Sequence, residues 1–215
     1  MTAREVVLER VRAALASASP ANSHEGVPRS YRQQHEASTD RASLFADRVS
    51  DYRATIHRVG SAGEVAAAIA GVSQIEGIRE LGVAPGVPEE WLPASNVAAV
   101  RCPDPSAASA NRLGGALTGC ALAIAETGTI ALDGGALSGR RMLTLIPDLH
   151  LCVVASDQIV GGLPEAIGAL RPAVANGMPI TFVSGPSATS DIELHRVEGV
   201  HGPRRLHVIL LRGDE

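Results

Sequence analysis

The period of the hydrophobic positions changes several times along the chain. Near the start, Val7, Val11, Ala14 and Leu15 recur at helical spacing behind a Thr2–Glu5 capping-box pattern, which predicts a helix over residues 1–16. Residues 17–38 carry two prolines and no apolar period, and predict an exposed arm or linker. Helical spacing returns with Phe45, Val49, Tyr52 and Ile56, so a second helix is expected from Asp40 to about His57. A third is expected to begin at Ser61, where Ser61 and Glu64 repeat the capping pattern and Val65, Ile69 and Val72 form the buried edge.

Beyond this point the apolar runs shorten and become strand-like. Arg79 to Val83 and Val97 to Arg101 are bounded by glycine and proline and read as strands. Ala116 to Leu132 is a largely apolar segment broken at Glu126-Thr127-Gly128-Thr129, which predicts two buried strands about a bend, or a strand and a turn feeding a strand. Leu149 to Ala155 is nearly continuous in apolar residues, as a central strand requires. A helix from about Pro164 to Leu170 and a buried strand from Ile180 to Val183 follow, then a polar loop system from Ser184 to Arg205, then a last buried run from Leu206 to Leu211. Strands alternating with helices predict an α/β domain with a largely parallel sheet over residues 39–215, with residues 1–38 as an appended helix and arm.

Composition narrows the function. A net charge of −4 and an aromatic content of 2% supply neither the basic footprint nor the stacking platforms of a nucleic-acid binder. All 19 basic residues are arginine, which removes lysine Schiff-base chemistry and the phosphate-loop lysine while keeping the planar recognition of carboxylate or phosphate. Cys102, Cys120 and Cys152 are too scattered for an iron–sulfur or zinc site. No cofactor is assigned from the residues. An odd number of thiols without a leader predicts the cytoplasm, and no apolar run reaches the length of a membrane span. Homo-oligomerisation stays open.

Two stretches carry candidate chemistry. Glu126 stands in an apolar run, where a carboxylate has to be paired, hydrogen-bonded or protonated, so it is a candidate nucleophile or general base. The alternatives are a cap on the neighbouring turn or a pair with Arg141. Thr127, Gly128 and Thr129 could offer hydroxyls and backbone N–H groups to an anion. Ser184, Gly185, Ser187, Thr189, Ser190 and Asp191 are expected outside the carboxyl end of a strand, where ligands of open α/β sheets settle, unless the last three only cap a short helix near Ile192. Arg140 and Arg141 could clamp a carboxylate or phosphate. His195, His201 and His207 recur at a spacing that suits no metal site, and His201, between glycines, is the candidate acid or base. The two groups are expected to face each other.

The blocks Ala125 to Thr129, Leu145 to His150, Ser184 to Glu193 and Gly199 to Pro203 together resemble the lactate utilization protein C family, whose module is the LUD domain. The resemblance implies a Rossmann-like three-layer α/β fold similar to ribose-5-phosphate isomerase, glucosamine-6-phosphate deaminase and CoA transferases. It also implies a part in oxidising L-lactate to pyruvate beside two iron–sulfur partner proteins, and the three scattered cysteines agree with a cluster-free subunit. Together with the loops at Glu126 and Ser184 to Asp191, it leads to the expectation that the chain binds a small anionic or nucleotide-like ligand there. A stand-alone transferase or isomerase using Glu126, and a non-catalytic assembly module, are the competing expectations.

Overall fold

The structure is a computed structural model that describes residues 2–16, 28, 30, 32, 40–94, 97–190, 196–198 and 202–213, with backbone alone at 188–190 and 196–198. By its contacts the chain divides into Met1–Arg32 and Gln33–Glu215. The first unit holds α1 (Ala3–Ala16), none of whose residues is buried. Its capping box forms as the sequence predicts: Glu5 N–H donates to Thr2 Oγ1, and Thr2 N–H donates to the Glu5 carboxylate at 2.7 Å.

In the second unit the elements run α2 (Arg41–Asp51), β1 (Thr55–Val59), α3 (Ala62–Ile75), β2 (Glu80–Val83), β3 (Ala98–Arg101), α4 (Ala107–Ala110), β4 (Gly115–Thr118), β5 (Leu122–Ile124), β6 (Thr129–Leu132), β7 (Leu149–Ala155), β8 (Ile159–Val160), α5 (Leu163–Ala175), β9 (Thr181–Val183), β10 (Ala188–Ser190), β11 (Arg196–Glu198) and β12 (Arg205–Leu211). The main sheet has six strands in the order β1-β12-β7-β4-β2-β3, and all its pairs are parallel. A second sheet, β8-β5-β6-β9, is mixed, and β10 with β11 forms an antiparallel ribbon.

The second helix is shorter than its apolar spacing predicts. It ends at Asp51 on a Tyr52 cap, Arg53 takes a left-handed φ of 66°, and Ile56 and His57 fall in β1 instead. The segment 116–132 yields three strands divided between the two sheets, and the helix expected over 164–170 continues to Ala175. Among the described residues no helix is long and apolar enough to cross a membrane.

Alternation along the central strands assigns each face its cover. Leu149, Leu151, Val153 and Ile209 pack with Val65, Ile69 and Val72 of α3. Cys152, Val154, Val208 and Leu210 point the other way, into a cluster with Phe45 and Val49 of α2 and with Ala123, Ile130 and Leu132 of the second sheet. The outer face of that second sheet, Leu122, Ile124 and Ala131, is covered by Ala166 and Leu170 of α5. A strand buried on both faces has no polar alternation, which is why β7 and β12 read as continuous apolar runs.

Candidate functional site

Two glycines bring the two predicted stretches under one roof. Gly128 adopts φ 59°, and a Cβ there would lie 2.6 Å from the backbone of Arg48 and Val49 in α2. Gly185 adopts φ 107°, and a Cβ there would lie 2.7 Å from Tyr52 at the end of the same helix. The close approach expected of Gly128 is therefore made to α2 and not to an anion. Held this way, the turn before β6 and the loop after β9 meet through hydroxyls: Thr127 Oγ1 lies 2.7 Å from Thr129 Oγ1, and Thr129 Oγ1 lies 2.7 Å from Ser184 Oγ.

Behind Ser184 opens a cavity of about 250 Å³. Its polar lining comprises Arg141, Thr144, His150, Ser184 and Ser187, with Phe182, Val183, Gly202, Pro203 and Leu206 among the rest, and among the described residues no carboxylate lines it. Arg141 donates to both the carbonyl and the hydroxyl of Thr144, each at 3.1 Å, which fixes its head at the cavity wall. Partial burial pulls the guanidinium below its ordinary pKa.

His150 is the deepest ionisable group here, with 2% of its surface exposed. Its Nε2 lies 2.8 Å from Thr118 Oγ1 on the neighbouring strand. Burial, and then the charge of Arg141, push its pKa down to about 4, so the ring is neutral at ordinary pH. From the sequence, His150 belongs to a predicted strand and to the Leu145 to His150 block, and is not among the candidate site residues. The signal was the same one that marked Glu126, an ionisable residue inside a continuous apolar run.

The placement relative to the sheets differs from the expectation. Ser184 does follow the carboxyl end of its strand, β9, but β9 belongs to the second sheet. Toward the main sheet the cavity touches His150 and Leu206, near the amino ends of β7 and β12. The carboxyl ends of β1, β7 and β12 open on a different cleft, of about 620 Å³, lined by Arg58, Gly60, Ser156 and Arg212 with Asp40 and Ser43.

Residues 106–211 match the family model described as LUD domain, a span that contains every residue lining the 250 Å³ cavity. A lactate utilization protein C from Deinococcus radiodurans is 50% identical over 167 residues, covering 78% of this chain and 77% of that protein. One from Bacillus subtilis is 34% identical over 94 residues, 42% of this chain and 39% of that protein. A crystal structure of a DUF162-family protein from Deinococcus radiodurans superposes with a TM-score of 0.67 at 42% identity, covering 80% of this chain and 99% of that one.

The chain belongs to the LUD-domain family.

Within the LUD domain the other predicted residues take different places. Glu126, half-buried, does not line the cavity: its N–H donates to the Gly161 carbonyl, and its carboxylate lies beside Gly162, the residue that precedes α5. Arg141, weighed as its partner, is engaged with Thr144 instead. Thr189 and Ser190 lie in β10, paired with Val197 and Arg196, so these two sit in a ribbon and not in an open hydroxyl loop or a helix cap. Ser187 N–H donates to the Pro203 carbonyl at 2.8 Å, tying that loop to the Gly202-Pro203 turn. Asp191, His195 and His201 lie outside the described residues. His207 pairs with His57 in the adjacent strand, Nδ1 to Nε2 at 3.0 Å.

Proposed function

We propose that this chain serves lactate utilization by holding a small 2-hydroxy or 2-oxo carboxylic acid in the cavity of Arg141, Thr144 and His150, and that it works beside iron–sulfur subunits. The role in lactate utilization is supported by the relatives that carry that name. The observation that carries the ligand class is the cavity itself: an arginine anchored at its wall, a buried imidazole, two serines, no carboxylate among the described residues, and a volume of about 250 Å³ that suits a compact anion. The guanidinium supplies the charge and the paired donors that a carboxylate takes, and the hydroxyls of Ser184 and Ser187 border the remaining space. Oxidation of lactate to pyruvate releases two electrons and two protons, and the iron–sulfur subunits are the proposed electron acceptors. This reading gives no role to Glu126.

The test joins growth to binding. A strain lacking this chain is grown on L-lactate as sole carbon source, with the wild-type chain or Arg141→Ala restored, and both purified proteins are titrated calorimetrically with L-lactate and pyruvate. Expected are loss of growth on deletion, rescue by the wild type alone, and binding of at least one acid that Arg141→Ala removes. Normal growth of the deletion strain, or full rescue by Arg141→Ala, overturns the proposal.

A further inference from the structure

We infer that His150 meets the occupant of this cavity as an Nδ1–H donor, its tautomer fixed by Thr118, and that the site therefore favours a 2-oxo acid over the matching 2-hydroxy acid. The inference rests on the reading above that a small carboxylic acid occupies the cavity, and adds which oxidation level it prefers.

The argument starts from Thr118. Its side chain is fully buried at the end of β4, and its hydroxyl has one polar contact among the described residues, His150 Nε2 at 2.8 Å. A hydroxyl has one proton to donate. If Nε2 carried the ring proton, Thr118 would accept it and its own O–H would be left without a partner in a dry interior, a state buried hydroxyls avoid. The satisfied arrangement is the reverse: Thr118 donates, Nε2 accepts, and the ring proton sits on Nδ1. A second ring proton is opposed by burial and by the Arg141 charge, which together hold the ring neutral.

Nδ1 has no hydrogen-bond partner among the described residues, while the ring lines the cavity and is itself 2% exposed. Among the described residues it is thus a buried donor with nothing to donate to. An occupant anchored through its carboxylate at Arg141 presents its C2 oxygen as the acceptor. A ketone oxygen takes the Nδ1–H with nothing left over. A hydroxyl that accepts the same bond brings a proton that needs an acceptor of its own. Propionate, with no oxygen at C2, forgoes the bond entirely.

Two measurements test this on the full-length protein. Long-range proton–nitrogen spectra of uniformly ¹⁵N-labelled protein read the tautomer of His150 directly, and calorimetry compares pyruvate, L-lactate and propionate. Expected are an Nδ1–H tautomer between pH 6 and 8, and pyruvate binding tighter than L-lactate or propionate by on the order of tenfold, as one buried hydrogen bond gives. Thr118→Val, which keeps shape and removes the hydroxyl, is expected to release the tautomer and narrow the preference for pyruvate while leaving propionate affinity within about twofold. An Nε2–H tautomer in the wild type, or L-lactate binding as tightly as pyruvate, overturns the inference and leaves the acid site standing. Binding of none of the three acids overturns both.

Discussion

Thr129 Oγ1 and Ser184 Oγ lie 2.7 Å apart, joining the turn that opens β6 to the loop that leaves β9, 55 residues further along the chain. The bond is a consequence of register: β6 and β9 run antiparallel with Ile130 opposite Val183, so the next residue on each strand meets the other at the end of the ladder. It marks where two separate sequence blocks become one wall. Thr129 is buried and Ser184 exposed, so the two partners respond differently to removal. Thr129→Val is expected to cost about 1–2 kcal/mol and Ser184→Ala about 0.5–1 kcal/mol. A double-mutant cycle by urea unfolding is expected to show a coupling of about 0.5–1 kcal/mol.

Gly128 and Gly185 are expected to tolerate no side chain. Each combines a left-handed φ with a Cβ position under 3 Å from α2 or its cap, so strain and overlap add. Gly128→Ala should destabilise by about 2–5 kcal/mol, the sum of the conformational and overpacking costs. Gly63→Ala, in α3 with open space at its Cβ, is the control, and should raise stability by up to about 1 kcal/mol. Thermal unfolding of the three proteins checks the order.

Stability should fall on acidification through the histidines. Burial depresses the folded-state pKa of His150 to about 4, against an ordinary value near 6.5. Between those values the unfolded chain binds the proton and the native chain does not, so stability is complete above about pH 6.5 and is lost as pH drops toward 4. His150 alone accounts for up to about 3 kcal/mol. His57 and His207 act with the same sign. Burial lowers both pKa values, and for His207 the neighbouring His57 and Arg205 lower it further while Glu76 opposes them. Their rings are near-coplanar, with 11° between planes and a 3.0 Å N···N contact that one ring proton fills and two disrupt. Urea unfolding from pH 7.5 to 4.5 is expected to show this slope, and His150→Asn to flatten it.

Arg141→Lys is expected to fold normally and bind acids poorly. The ammonium keeps the charge but cannot fork between Thr144 and a carboxylate as the guanidinium does. Affinity for the better-bound acid should fall by about tenfold, with a midpoint of thermal unfolding within about 3 °C of wild type. Calorimetry and a melting curve suffice.

Much of the fold was legible because its signals are local. Capping patterns at Thr2 and Ser61 mark real helix starts, and doubly buried strands announce themselves as the apolar runs of β7 and β12. The end of α2 misled because Tyr52 and Ile56 keep helical spacing after the chain has turned at Arg53, and periodicity carries no record of one left-handed residue. The candidate site was half legible. Arg141, Ser184 and Ser187 were singled out from their chemistry, while Glu126, the sharpest anomaly in the sequence, lies outside the cavity and His150 inside it.

The sequence by itself determined the α/β class, the order of most elements and the arginine-only cation chemistry, since each follows from residue type and nearest-neighbour period. Only the tertiary structure decided that a second sheet covers one face of the first, that α2 roofs both loops, and that Thr118 meets His150 across 32 residues. Those contacts depend on strand order and register, which a two-residue alternation leaves undetermined: it says that a residue faces a neighbour, but not which one.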